Sequence, residues 1–70
     1  MKKYTIYTTN RKDFDKRGWQ SSSRKQIDNS IDNSIEDIEK TNELYVKYNM
    51  PLLVYKIVDN TTNDIISTNI

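Results

Sequence analysis

The chain has no cysteine and no histidine. The first absence excludes disulfides, thiolate chemistry and cysteine-based zinc sites. The second removes the ready general base near neutral pH and the imidazole metal ligand. Ser, Tyr, Lys and carboxylate groups remain, but a single glycine cannot shape a phosphate-cradling loop or a nucleophile elbow. The expectation is a protein that is not an enzyme and carries no cofactor. Long apolar runs are missing too, and nothing approaches the roughly 20 residues that span a bilayer. The start, Met1-Lys2-Lys3-Tyr4-Thr5-Ile6, is basic without the apolar stretch of a signal peptide. The expected compartment is therefore the cytoplasm, with no membrane partner.

What is present is 70 residues, one domain near the lower limit for a self-sufficient core. Such chains usually need a staple, a metal or a second copy of themselves. Asn, Ile, Lys and Tyr supply 30 of the 70 residues, and alanine none. These types have AT-rich codons, which fits a low-GC bacterium or one of its phages.

Residues 4–9, Tyr-Thr-Ile-Tyr-Thr-Thr, are all β-branched or aromatic and predict a first strand. Residues 10–22 show no period and hold the only glycine, so they predict a long basic loop. Phe14 and Trp19 are expected to fold it back onto the core; free exposure is the alternative. Ser23-Arg24-Lys25-Gln26 fits a capping box, opening a helix over residues 23–48. Ile27, Ile31, Ile35 and Ile38 then recur at spacings of 4, 4 and 3, and Tyr45 returns to the same line. The Ile-Asp-Asn-Ser unit repeated from Ile27 to Ser34 is made of poor helix formers, but burial of an apolar stripe routinely overrides propensity. Asn49 can take a left-handed cap and Pro51 cannot continue a helix. A competing assignment makes Glu43 to Tyr48 a strand, because Leu44, Val46 and Tyr48 alternate. Residues 52–58 and 64–68 predict hairpin strands around Asn60-Thr61-Thr62-Asn63.

The expected fold class is α+β: a small β-α-β-β domain with one long amphipathic helix on a three-stranded sheet. A right-handed crossover would set the first two strands parallel. One helix covers one sheet face, so the other must be covered by the Phe14/Trp19 segment or by a second subunit, a homodimer.

Charge is segregated. Residues 1–25 carry a net +6 and residues 26–70 a net −5. On the predicted helix, Asp28, Asp32, Glu36, Glu39 and Glu43 follow spacings of 4, 4, 3 and 4, a second stripe beside the isoleucines. At 1.5 Å rise, carboxylates four apart stand about 6 Å apart, close to the phosphate repeat of a nucleic-acid strand. Lys40 and Lys47 fall outside this ridge, which leaves it unneutralised. Such a ridge suits the basic groove of a host protein that handles nucleic acid. The bland alternative is a solvated helix face.

Two other functions compete. Arg11, Lys12, Lys16, Arg17, Arg24 and Lys25 surround Phe14 and Trp19, the mixture of cations and aromatics that phosphate contacts and base stacking use. No helix-turn-helix or similar signature accompanies them. Residues 28–39 also partly match the twelve-residue EF-hand calcium loop. Asp28, Ser30, Asp32, Glu36 and Glu39 would hold positions 1, 3, 5, 9 and 12, although Asn33 stands where a glycine is wanted.

Small size, AT-rich composition, an acidic ridge and missing catalytic equipment resemble, in general character and without a shared motif, phage-borne inhibitors such as anti-CRISPR and other anti-defence proteins. That resemblance implies a stoichiometric blocker of a nucleic-acid-handling host enzyme, acting in a bacterial cytoplasm.

Overall fold

A computed structural model describes residues 2–28 and 31–70, with the side chain of Ser22 also left aside. The order is β1 (Tyr4–Asn10), α1 (Arg11–Arg17), a 3-10 turn (Ser21–Ser23), β2 (Arg24–Ile27), α2 (Ile31–Lys47), β3 (Leu53–Asp59) and β4 (Ile65–Thr68). The four strands form one sheet in the order β2-β1-β3-β4, and every neighbouring pair is antiparallel. The protein is a small α+β fold, with one strand and one helix more than the sequence predicted.

Both additions come from segments assigned otherwise. Residues 24–27 open the predicted long helix, yet they pair with β1 from Tyr4↔Ile27 to Tyr7↔Arg24. Two forces favour the strand. The free edge of β1 gains backbone partners, and Asp, Asn and Ser, the residue types that follow, are poor in a helix interior and good at its start, so a helix running through them is disfavoured. Ile27 still reaches the core it was expected to reach, now from a strand. The helix accordingly begins at Ile31 and runs 17 residues. It continues through Lys47, which also settles Glu43–Lys47 as helix and not strand.

The extra strand overturns the parallel crossover. The chain leaves β1 and runs back along β2. Through α2 it then passes over β1 to reach β3, which lies parallel to β2 and antiparallel to β1. Because β2 already reverses the chain, β1 and β3 cannot share a direction.

The second addition is α1, inside the predicted loop. The Oδ1 of Asn10 accepts the Asp13 N–H at 2.8 Å while its Nδ2 donates to Asp13 Oδ2 at 2.9 Å. Lys16 and Arg17 sit in the last turn, where the helix dipole favours cations. Gly18 ends the helix at φ 69°, and its N–H reaches the Phe14 carbonyl at 2.8 Å.

Strand pleating divides the sheet into two faces. Ile6, Tyr55 and Ile57 join Ile38 of α2 in the buried core, with Tyr4, Ile27, Ile31, Ile35 and Leu53 packed around them. Ile57, completely buried, is its centre. Asn42 lies on the same helix line and clamps α2 to β3. Its Oδ1 accepts the Leu53 N–H at 2.7 Å and its Nδ2 donates to the Leu53 carbonyl at 3.1 Å. A Schellman motif closes α2: Asn49 sits at φ 57°, with Met50 N–H on the Tyr45 carbonyl and Asn49 N–H on the Val46 carbonyl.

The opposite face carries Thr5, Tyr7, Thr9, Val54, Lys56 and Val58 by register. The segment after β1 folds over it. Trp19 packs against Phe14 at 4.7 Å and against Tyr7 at 6.2 Å between ring centroids. The Arg11 N–H bonds the Leu52 carbonyl at 2.7 Å, fixing the start of α1 beside β3. No helix among the described residues is long and apolar enough to cross a membrane.

Candidate partner-binding surfaces

The acidic stripe is shorter than the sequence suggested. Asp28 is not on α2. It follows β2 and is held at the N-terminal end of β1, accepting from Lys2 Nζ at 3.2 Å and from the Lys3 N–H at 3.3 Å. The Lys2 hydrogen bond is the largest influence holding its carboxyl below the ordinary aspartate value of 3.8. Asp32, Glu36, Glu39 and Glu43 remain, all exposed on α2. Their side of the helix lies about 100° around from the Ile31/Ile35/Ile38 anchor at 100° per residue. Packing therefore fixes the direction in which the carboxylates point. Local neutralisation is not wholly absent: Lys40 Nζ stands 3.0 Å from Glu36 Oε1, one turn away. This exposed i,i+4 pair contributes a few tenths of a kcal/mol at most and leaves Asp32, Glu39 and Glu43 without such a pair among the described residues.

The basic residues are split among three places. Arg11, Lys12, Lys16 and Arg17 are exposed on α1, and Arg11 Nε pairs with Asp15 at 3.3 Å. Lys25 stands opposite Ile6 on the side of the sheet that α2 covers. Arg24 stands opposite Tyr7, whose partner across the next ladder is Lys56. This row joins Trp19: Lys56 Nζ lies 4.7 Å from the Tyr7 ring centre and 5.5 Å from that of Trp19. Arg24 and Trp19 thus share one surface with Tyr7 and Lys56. Sequence order hid the last two, because a cross-strand row is visible only once the register is known.

Most of the segment expected as a calcium loop is helix among the described residues. Residues 31–39 are continuous helix, so Asp32, Glu36 and Glu39 project along a rod and do not wrap one point. Ser30, the proposed third position, lies outside the described residues. No group of three or more acidic side chains among the described residues converges closely enough to hold a metal ion.

A shallow cavity of about 440 Å³ opens between α1, α2 and the start of β3, with Pro51, Leu52 and Val54 on its apolar side and Arg11 and Lys12 on its basic side. No protein family, curated protein or solved structure matches the chain.

Proposed function

We propose that the chain is a non-enzymatic binding protein that blocks a nucleic-acid-handling host protein by laying the acidic side of α2 into that protein's basic groove. It would act as a phage or mobile-element inhibitor of the anti-CRISPR or anti-defence kind, in a bacterial cytoplasm. The observation that carries this reading is the exposed line of Asp32, Glu36, Glu39 and Glu43 on a helix whose other side is anchored in the core. A fixed rod of like charge loses little conformational freedom on docking and steers a cationic partner toward it. Like charges one turn apart cost a few tenths of a kcal/mol each in the free protein, and a basic groove relieves that repulsion. The test is capture of a partner by the wild-type chain beside the variant Asp32→Lys, Glu36→Lys, Glu39→Lys. The variant, folded by circular dichroism, loses the partner; retention of the same partner at equal strength rejects the reading.

A second reading has its own observation. The row Arg24, Tyr7 and Lys56 with Trp19 beside it places cations and aromatic rings on one sheet face, as single-strand binding requires. Direct binding of DNA or RNA that weakens steeply with salt, and is lost in Lys56→Glu, would favour it.

A further inference from the structure

The two edges of the sheet differ in a way that neither proposed surface explains. Unpaired edge strands are templates for another strand, and proteins commonly blunt them with charge. The β2 edge is blunted in that way, with Arg24 and Lys25 exposed on a four-residue strand. The β4 edge is not. Residues 65–70, Ile-Ile-Ser-Thr-Asn-Ile, contain no charge, and Ile65, Ile66 and Ile70 are 58%, 46% and 49% exposed. The polar side chains of this stretch bond back to β3, with Ser67 half-buried and Thr68 and Asn69 exposed. The Ser67 hydroxyl meets Tyr55 Oη at 3.1 Å, Thr68 Oγ1 donates to the Tyr55 carbonyl at 2.8 Å, and Asn69 Oδ1 accepts the Tyr55 N–H at 2.8 Å. The exposed apolar surface of this stretch is isoleucine, alongside the exposed Thr68 and Asn69.

We infer that a second copy of this chain docks on the β4 edge, antiparallel strand to strand, and joins the two sheets into one of eight strands. Charge selects the occupant. An uncharged edge meets its own copy without like-charge contacts, whereas two β2 edges would set Arg24 and Lys25 against each other. Core size supports it as well: only Ile6, Ile38, Val54, Tyr55 and Ile57 are buried hydrophobic side chains among the described residues. A chain with so thin a core gains from doubling. A standard interface takes about 800 Å² from each partner, roughly a sixth of the 5063 Å² this chain exposes. Four residues of backbone pairing cannot supply that alone, so the three isoleucines must take part.

The symmetry has a consequence. Two identical edge strands pair antiparallel only about a two-fold axis perpendicular to the sheet, which puts both α2 helices on the same side. The dimer would carry two acidic ridges on one face and two Trp19 surfaces on the other. The inference stands without the proposed function, since edge pairing involves none of the ridge residues.

Sedimentation velocity of the full chain across the micromolar range tests it. The expected mass is twice 8.3 kDa, returning to 8.3 kDa in the variant Ile65→Lys, Ile66→Lys. Those two side chains are exposed, so the variant should still unfold cooperatively, at a midpoint lower only by what the dimer contributed. Amide exchange in β4 of the wild type should slow with concentration while exchange in β2 does not, a readout that needs no variant. A wild-type chain that stays at 8.3 kDa overturns the inference, as does a dimer that persists in the double variant. A dimer lost instead on Leu44→Lys, at the exposed end of α2, also overturns it.

Discussion

Replacing Asn42 with leucine separates what the helix pattern suggests from what the structure requires. On the pattern, Asn42 interrupts an apolar stripe, and leucine should improve it by about 0.5 kcal/mol of helix propensity together with some burial. In the fold, Asn42 Oδ1 accepts the Leu53 N–H at 2.7 Å, at the point where β3 begins. Leucine leaves that donor unpaired, a cost of about 1–3 kcal/mol, toward the lower end because the site is only partly buried. The Leu53 carbonyl is protected, since Asn69 Nδ2 also donates to it at 3.0 Å. The net expectation is a loss of about 1 kcal/mol, or about 4–8 °C in Tm for a domain of this size. Asn69→Ala alone should also destabilise, because Tyr55 N–H loses its acceptor. The two substitutions together leave the Leu53 carbonyl with neither amide, so their costs should exceed additivity by about 0.5–1 kcal/mol. Urea titration and thermal melts of the four proteins measure this. An Asn42→Leu protein at least as stable as wild type, with strict additivity in the cycle, would refute the clamp.

Two other outcomes follow from the same geometry. Trp19→Ala removes the ring contacts to Phe14 and Tyr7 and the cation contact to Lys56, and should cost about 2–4 kcal/mol in urea titration, less than a fully buried tryptophan. A midpoint unchanged by that substitution would mean the segment 11–20 does not hold the second sheet face. Asp28 titrates below its ordinary value in the fold, so its contribution is present above the unfolded value near 3.8 and is lost as pH falls through the lower, folded one. Asp28→Asn should flatten that part of the acid limb, by a small amount that salt reduces further because the pair is exposed; identical acid limbs would count against the pair.

Much of the core was legible in the chain. Ile27, Ile31, Ile35 and Ile38 share one interior, as their spacing implied, and the β-branched stretches of β1 and β3 are strands. The helix stripe was overextended because Ile27 satisfies helical spacing and a β-strand equally well when its neighbours are unknown. Arg24-Lys25-Gln26 has no strand propensity of its own; it is a strand because β1 has an open edge, and that is a long-range fact. The parallel expectation failed through the same omission. Residues 11–17 show no helical period, because seven residues are too few to display one. The local signs were there in Asn10, Asp13 and Gly18 at cap positions and in the acid-to-base order along the turn. Of the candidate surfaces, the order of carboxylates along α2 could be read directly. The loss of Asp28 to Lys2 and the gathering of Arg24, Tyr7, Lys56 and Trp19 depend on register and could not.

The central claim is that the acidic side of α2 takes the place of nucleic acid on a basic partner. Fluorescence anisotropy of a labelled nucleic acid bound to the captured host protein tests it most directly. Wild-type chain should release the label at a simple molar ratio, more weakly as salt rises, and the Asp32→Lys, Glu36→Lys, Glu39→Lys variant should leave it bound. Label that stays in place while the wild-type chain binds, or that the variant releases equally well, would contradict the account.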